Sequence, residues 1–249
     1  MGETLAQDQV FVTVDILVLT VRDGRLELLL SRRGSPPFEG RWALPGRLVA
    51  LEDSARTTAR RLLEEMLPIS EAYMEQLYTF TELNRDPRGR VISIAYLVVV
   101  PWVRLEPALP AGGAGPAMFV PRLEGGALAL EGPGGLRLAG SDLAFDHGRI
   151  IDVGLRRLRG KIDYTDIGFR FLNHPGAFSL GELQAVFEAV LGRSVDGSNF
   201  RRAIQNRYEE AGRIVQLERT DRALPRRRGR PAAIYRLTGP SLPGGSDIE

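Results

Sequence analysis

The chain has 249 residues, a net charge of +2, 43% hydrophobic and 26% charged residues, a length that accommodates one large or two modest domains. Cysteine is absent, which excludes disulfides and thiolate chemistry, and no apolar run approaches the ~18 residues that a bilayer span requires. The opening MGETLAQDQ lacks the basic and apolar regions of a signal peptide, so a cytoplasmic setting away from membranes is expected. Only His147 and His174 offer imidazole ligands, and they flank different segments, so no zinc site is expected.

Residues 1–9 read as a tail. From Val10 to Val21 the chain is β-branched, and Arg22-Asp23-Gly24-Arg25 turns it into Leu26–Leu30, which predicts a hairpin. Ser31-Arg32-Arg33 closes the second strand where arginines can face a ligand, and a Pro/Gly loop leads to Trp42. Gly46 to Pro68, GRLVALEDSARTTARRLLEEMLP, is the stretch around which the chain is organised. Glu52-Asp53-Ser54 supplies helix-start chemistry. Ala55, Ala59, Leu62, Leu63 and Met66 recur at helical spacing, leaving Arg60, Arg61, Glu64 and Glu65 on the other face. A second hairpin is predicted over 76–100, with NRDPRGR as its turn. Strands on both sides of one helix suit layered α+β packing. Residues 101–141 are rich in Gly, Pro, Ala and Leu, with short candidate strands at 117–121, 127–131 and 136–139; part of this stretch is expected to be poorly ordered.

At Asp142 the period changes to that of a helix, with Leu143, Ile150, Ile151, Val153, Leu155 and Leu158 on one stripe. Residues 143–161 are therefore expected to connect two domains, 10–142 and 162–240, with 241–249 as a C-terminal tail. Ser179 and Glu182 have capping-box spacing before a helix that stops at Gly192. Ser198 is expected to cap the next helix, NFRRAIQNRYEEAG. Two helices across a tight turn, then a strand, a basic loop and a strand, spell a winged helix-turn-helix. Asn199, Arg201, Arg202 and Gln205 would lie on the recognition helix near DNA, and Arg226, Arg227, Arg228 and Arg230 in the wing would grip phosphates or enter a minor groove. The charge distribution agrees. Between Arg193 and Arg236 there are 12 arginines and 5 acidic residues, a balance of +7 that leaves −5 for the rest.

The helix at 46–68 resembles the Nudix box, G-x5-E-x7-R-E-U-x-E-E-x-G-U with U aliphatic. Gly46, Glu52, Arg60, Leu62, Glu64 and Glu65 match in register, after the lead-in Trp42-Ala43-Leu44-Pro45. Arg61 stands where the family has a glutamate, Leu67 where it has the closing glycine, and Arg47 where a second glycine is usual. In a working hydrolase the carboxylates at positions 61 and 65 would hold Mg²⁺ against a diphosphate. A guanidinium donates only and cannot ligate a cation, so Arg61 is expected to pair with Glu65, its i+4 neighbour, and cancel the charge that attracts the metal.

Taken with Glu75–Val100, Leu143–Thr165, the FSLGELQAVFEAVLG and NFRRAI helices and GRPAAIYRL, the chain resembles the Nudix-related transcriptional regulators that repress NAD metabolism. The resemblance covers nearly everything but the tails and 101–141. It implies an α+β chain: an N-terminal Nudix α/β/α sandwich that senses ADP-ribose or a related nucleotide diphosphate, and a C-terminal winged helix that binds a palindromic duplex DNA operator as a homodimer. It also implies a degenerate box without catalytic residues. The expected ligand site comprises Arg32, Trp42, Arg47, Arg60, Arg61, Glu64 and Tyr78, with Trp42 or Tyr78 stacked on the adenine. No cofactor is required; Glu52, Glu64 and Glu65 stand as residual ligands for Mg²⁺. The alternative is an active ADP-ribose pyrophosphatase with a basic accessory domain.

Overall fold

The computed structural model describes residues 9–67, 72–109, 115–217 and 232–238. Strand β1 (Phe11–Arg22) runs through the middle of the first domain. Asp23 and Gly24, both at positive φ, return it into β2 (Arg25–Arg32) through the two-residue turn such dipeptides favour. Short strands β3 (Trp42–Ala43) and β4 (Gly46–Leu48) pair with β2 and β1 and lead to helix α1 (Ala55–Met66). Ser54 caps α1, its side chain accepting a hydrogen bond from the Thr57 amide.

Strands β5 (Tyr73–Phe80) and β6 (Val91–Val99) form the second hairpin, and β6 lies parallel to β1 with Asp15 opposite Ala95. β5 begins three residues before the expected start at Gln76. A short helix, α2 (Trp102–Leu105), is followed by β7 (Ala117–Glu124), β8 (Ala127–Glu131) and β9 (Arg137–Ala139). These three strands are ordered: they form an antiparallel meander that extends the main sheet from β2, in the order β5-β6-β1-β2-β7-β8-β9.

Because strand side chains alternate between faces, β1 feeds two cores. Val14, Ile16 and Val18 pack with Ala59, Leu62 and Leu63 of α1. Leu17 and Leu19 join the core that holds Ile150, Ile151, Leu155 and Leu158 of α3 (His147–Ile162). The first domain is thus an α/β/α sandwich with α1 and α3 as outer layers. Helix α3 starts at His147, later than expected, because Asp142 turns back to accept from the Ala139 amide at 2.8 Å and holds 140–142 in a short helical turn.

The second domain continues from a 3-10 turn at Ile167–Phe171 through β10 (Phe178–Ser179), α4 (Leu180–Leu191) and α5 (Gly197–Ile204), with β11 (Ile214–Gln216) and β12 (Ile234–Leu237) completing a three-stranded sheet. The Ser179/Glu182 capping box forms in both directions. Asp196 caps α5, accepting from the Asn199 amide at 2.8 Å, rather than Ser198. Edge-on aromatic pairs, Phe169 with Tyr208 at 4.9 Å and Phe187 with Phe200 at 5.0 Å, fill the core. Each such ring contributes roughly 0.5–1.5 kcal/mol per pair beyond the area it buries. This core is continuous with the α3 face of the first domain, and Arg159 of α3 donates to the Val190 carbonyl of α4 at 3.0 Å. Helix α3 is therefore packed between the sheet and α4, more than a bare connector.

Candidate ligand cleft and DNA-facing helix

A cleft of about 320 Å³ opens beside the middle of β1, between β2, β4, the β5–β6 turn and the entry to α3. Its floor is a buried polar cluster around Asp15, a carboxylate in the middle of an apolar strand. Ser93 donates to Asp15 Oδ2, and Arg85 reaches the same oxygen at 3.6 Å. Arg85 also donates two hydrogen bonds to Asp146, at 2.7 and 3.1 Å. Asp146 occupies the N-cap position of α3, yet its carboxylate goes to Arg85 and not to the helix amides.

His147 opens α3 and is buried in the same cluster. Its Nδ1 accepts from the Leu44 amide at 2.8 Å, so its proton sits on Nε2, which faces Asp15 Oδ1 at 3.5 Å. Burial holds the imidazole below its usual pKa, outweighing Asp15 and Asp146, which act in the opposite direction. Gly46, the first residue of the box pattern, makes room for this arrangement: a Cβ there would lie 2.2 Å from Asp15 Oδ1.

The rim is cationic. Arg33 stacks over the Phe145 ring at 4.6 Å and Arg88 lies 5.6 Å from the same centroid. Phe145 is held at φ +53, a conformation uncommon for an aromatic residue and concentrated at functional sites. Burial first, and then the like charge of Arg88, lowers the pKa of Arg33. Two guanidiniums sharing one ring are a repulsive pair that an anion would relieve. Burial acts to raise the Asp86 carboxyl, but hydrogen bonds from the Arg88 side chain and backbone overcome it and hold it below the usual range. The lining carries Arg33, Arg47, Arg85 and Arg88 against Asp15 and Asp86, with Glu65 and Asp146 outside it paired to Arg47 and Arg85, so guanidinium N–H donors are concentrated where an anionic ligand could meet them.

Of the ligand residues expected from the sequence, Arg47 lines this cleft. Arg32 is exposed and stacks 4.7 Å over Trp42, donating to the Gly40 carbonyl. Trp42 is buried edge-on against Phe119 at 4.9 Å, so its faces are not open to an adenine. Tyr78 is exposed on β5 beside Phe80, outside the cleft lining. Arg60, Arg61 and Glu64 lie on the exposed face of α1. The expected Arg61–Glu65 pair does not form: Arg61 binds Asp53 at 2.6 Å, and Glu65 receives both terminal nitrogens of Arg47. Those Arg47 bonds hold the Glu65 carboxyl below its usual pKa.

A Mg²⁺ ion wants several hard oxygens around one point. Among the described residues no group of three or more His, Asp or Glu side chains is placed to share a metal, and Glu65 is already bound to a cation. As they stand, the box carboxylates offer one engaged group, Glu65, and two exposed ones, Glu52 and Glu64.

Sequence reasoning placed Arg33 where a ligand could be met but missed Asp15, Arg85, Arg88, Phe145 and His147. A carboxylate interrupting the β-branched run at 10–21 was the one local signal of a floor residue. The others come together only through long-range contacts, Asp15 and His147 being joined across the α3 face.

In the second domain, Asn199, Arg201 and Arg202 are exposed on α5, where Arg202 donates to Asn199 Oδ1 at 2.9 Å. Gln205 leans toward β12, 3.5 Å from the Tyr235 hydroxyl. Phe200, Ile204 and Tyr208 are buried on the opposite face. Arg207 donates to the carbonyls of Asp163 and Tyr164, fastening the end of this helix to the end of α3. Arg226, Arg227, Arg228 and Arg230 lie outside the described residues.

Comparison with known proteins bears on both halves. Residues 168–237 match the family model of the NrtR DNA-binding winged helix domain. An ADPR-responsive transcriptional repressor of Acinetobacter baylyi is 30% identical over 242 residues, covering 90% of this chain and 81% of that protein. The crystal structure of Shewanella oneidensis NrtR complexed with a 27-mer DNA is similar with a TM-score of 0.69, at 29% identity over 91% of this chain and 93% of that one. A MutT/nudix family protein from Enterococcus faecalis is similar with a TM-score of 0.75, at 26% identity over 95% and 90%. The class is therefore that of two-domain proteins in which a Nudix-like sandwich is joined to a winged helix. Within that class, the chain belongs to the NrtR family of transcriptional regulators.

Proposed function

We propose that this chain is a cytoplasmic transcriptional repressor of NAD metabolism that binds a palindromic operator as a homodimer. Its Nudix-like domain senses ADP-ribose or a related nucleotide diphosphate without hydrolysing it. The observation that carries this reading is the pairing of an arginine-rimmed cleft with a winged helix, in a chain 30% identical to an ADPR-responsive repressor. The domains divide at 10–142 and 162–240, and α3, the connecting helix, doubles as the outer layer that closes the first domain's sheet.

The diphosphate is assigned to Arg33, Arg47 and Arg88 at the cleft rim. Operator contacts are assigned to Asn199, Arg201, Arg202 and Gln205 in the major groove and to Arg226, Arg227, Arg228 and Arg230 on phosphates or the minor groove. A two-fold dimer sets half-sites about one helical turn apart. Ligand at the cleft contacts residues joined to the first turn of α3, the helix packed against α4, and so favours an arrangement that fits the operator less well. Coupling of ~1–3 kcal/mol changes operator affinity ~5- to 150-fold. Hydrolysis is not expected because the box carboxylates are engaged by Arg47 and replaced by Arg61.

Gel shift on the protein's own upstream region tests the reading. Specific retardation of that duplex, weakened by ADP-ribose, is expected. Brisk cleavage of ADP-ribose with Mg²⁺, together with indifference to every duplex, would overturn it.

A further inference from the structure

Arg47 spans the gap between β4 and α1. Its Nη1 donates to Glu65 Oε1 at 2.8 Å, and its Nη2 donates to the other oxygen of the same carboxylate. The hydrogen bond to Glu65 is the main reason the guanidinium is held even more firmly protonated than usual. Four residues before Glu65, Arg61 binds Asp53 instead. Glu65 of the box and Asp53 just before it are thus each held by a guanidinium of the chain itself.

Arg47 also faces the cleft, together with Arg33 and Arg88. A guanidinium has five N–H donors in one plane. Pairing end-on through Nη1 and Nη2 leaves the Nε–H edge and the outer N–H groups for a second anion. With its side chain 42% exposed, Arg47 can be reached by one. We propose that Arg47 is the built-in replacement for the divalent ion of the Nudix fold: it neutralises Glu65 and binds the ligand's phosphate directly, so that no metal bridges ligand and protein. This rests on the effector reading above and narrows it to a metal-independent anion site whose specificity-determining residue is Arg47. The replacement also accounts for sensing without cleavage. A tethered guanidinium can hold a phosphate, but it has no open coordination position and lowers no water pKa as a metal ion does.

Two measurements on the full chain test this. In the first, Mn²⁺ alone is titrated and followed by electron paramagnetic resonance. The wild type is expected to take up Mn²⁺ weakly, and the Arg47→Gly/Arg61→Glu double variant at least about tenfold more tightly, since it frees Glu65 and restores a second carboxylate. In the second, ADP-ribose is titrated calorimetrically in excess Mg²⁺ and in excess chelator. Equal affinity in the two is expected for the wild type, with Arg47→Ala weaker by about tenfold in both, as for loss of one charge-assisted contact. Circular dichroism checks whether these exposed-site variants fold. Wild-type Mn²⁺ binding as tight as the double variant's overturns the proposal, as does a tenfold loss of ADP-ribose affinity on chelation. If ADP-ribose binds in neither condition, the effector reading fails by itself, and the Mn²⁺ titration still decides the role of Arg47.

Discussion

Arg85 is joined to Asp146 by two hydrogen bonds, 2.7 and 3.1 Å, that tie the β5–β6 turn to the residue from which α3 starts. The Arg85 side chain is only 3% exposed, and Asp15, its second partner, only 7%. Removing the cation leaves Asp15, which is buried, and Asp146, whose side chain is 17% exposed, without their shared guanidinium. Arg85→Met is therefore expected to destabilise the chain by ~3–5 kcal/mol, the cost of a broken buried pair, measured by urea denaturation. A loss no larger than that of an exposed pair, below ~1 kcal/mol, would show that water reaches the cluster.

Gly46 is explained by Asp15. A methyl group at 46 collides with Asp15 Oδ1, so Gly46→Ala is expected to cost ~1–3 kcal/mol, as overpacking does. Asp15→Ala removes the obstructing atom. In the double variant the Gly46→Ala penalty is expected to shrink by ~0.5–3 kcal/mol, a coupling read from a double-mutant cycle. Simple additivity would mean that the Val14 carbonyl, 3.1 Å from the same Cβ position, sets the penalty instead.

His147 sets a pH dependence with a definite sign. Its folded pKa lies below the ordinary value because of burial, so the unfolded chain binds more protons than the folded chain as pH falls through ~6.5. Stability contributed by the neutral imidazole is complete above that pH and is lost below it, at up to ~1.4 kcal/mol per pH unit. Compared with His147→Gln, the wild type is expected to lose stability more steeply between about pH 6.5 and 5. Parallel curves for the two proteins would place the imidazole in water. Carboxylates remote from His147 are common to both proteins and drop out of the difference.

On the DNA side, Arg201→Ala is expected to weaken operator binding by ~1–3 kcal/mol and relax base preference, whereas Arg227→Ala mainly lowers the salt slope by about one. Binding isotherms at several salt concentrations separate the two. If neither variant alters affinity, α5 is not the recognition helix.

The parts of this fold that local chemistry decides were legible in the sequence. Ser54 and Ser179 carry their cap positions in their own dipeptide neighbourhoods, Asp23-Gly24 specifies its turn, and Phe200, Ile204 and Tyr208 show the buried face of the second-domain helix by spacing. What could not be read was decided by distance. The β7–β9 strands were marked by runs between glycines, but their place in the sheet was not, because β7 pairs with β2, nearly 90 residues earlier in the chain. Helical spacing predicts Arg61 against Glu65, but Asp53 in the preceding loop captures Arg61, and Arg47 from β4 captures Glu65. Asp196 outcompetes Ser198 because it stands one residue before α5 begins, while Ser198 is already inside the helix. The cleft floor is assembled from residues 15, 85, 93, 146 and 147, and only Asp15 leaves a local mark, a carboxylate inside a β-branched run, which by itself does not reveal its partners.

The central claim is that the arginine-rimmed cleft and the winged helix report to each other. The most direct measurement is a quantitative gel shift on the chain's own upstream duplex, repeated with saturating ADP-ribose and with no nucleotide. The account predicts sequence-specific binding that falls at least ~5-fold with ADP-ribose, the lower end of ordinary allosteric coupling. Operator affinity that stays the same while ADP-ribose is demonstrably bound would contradict it.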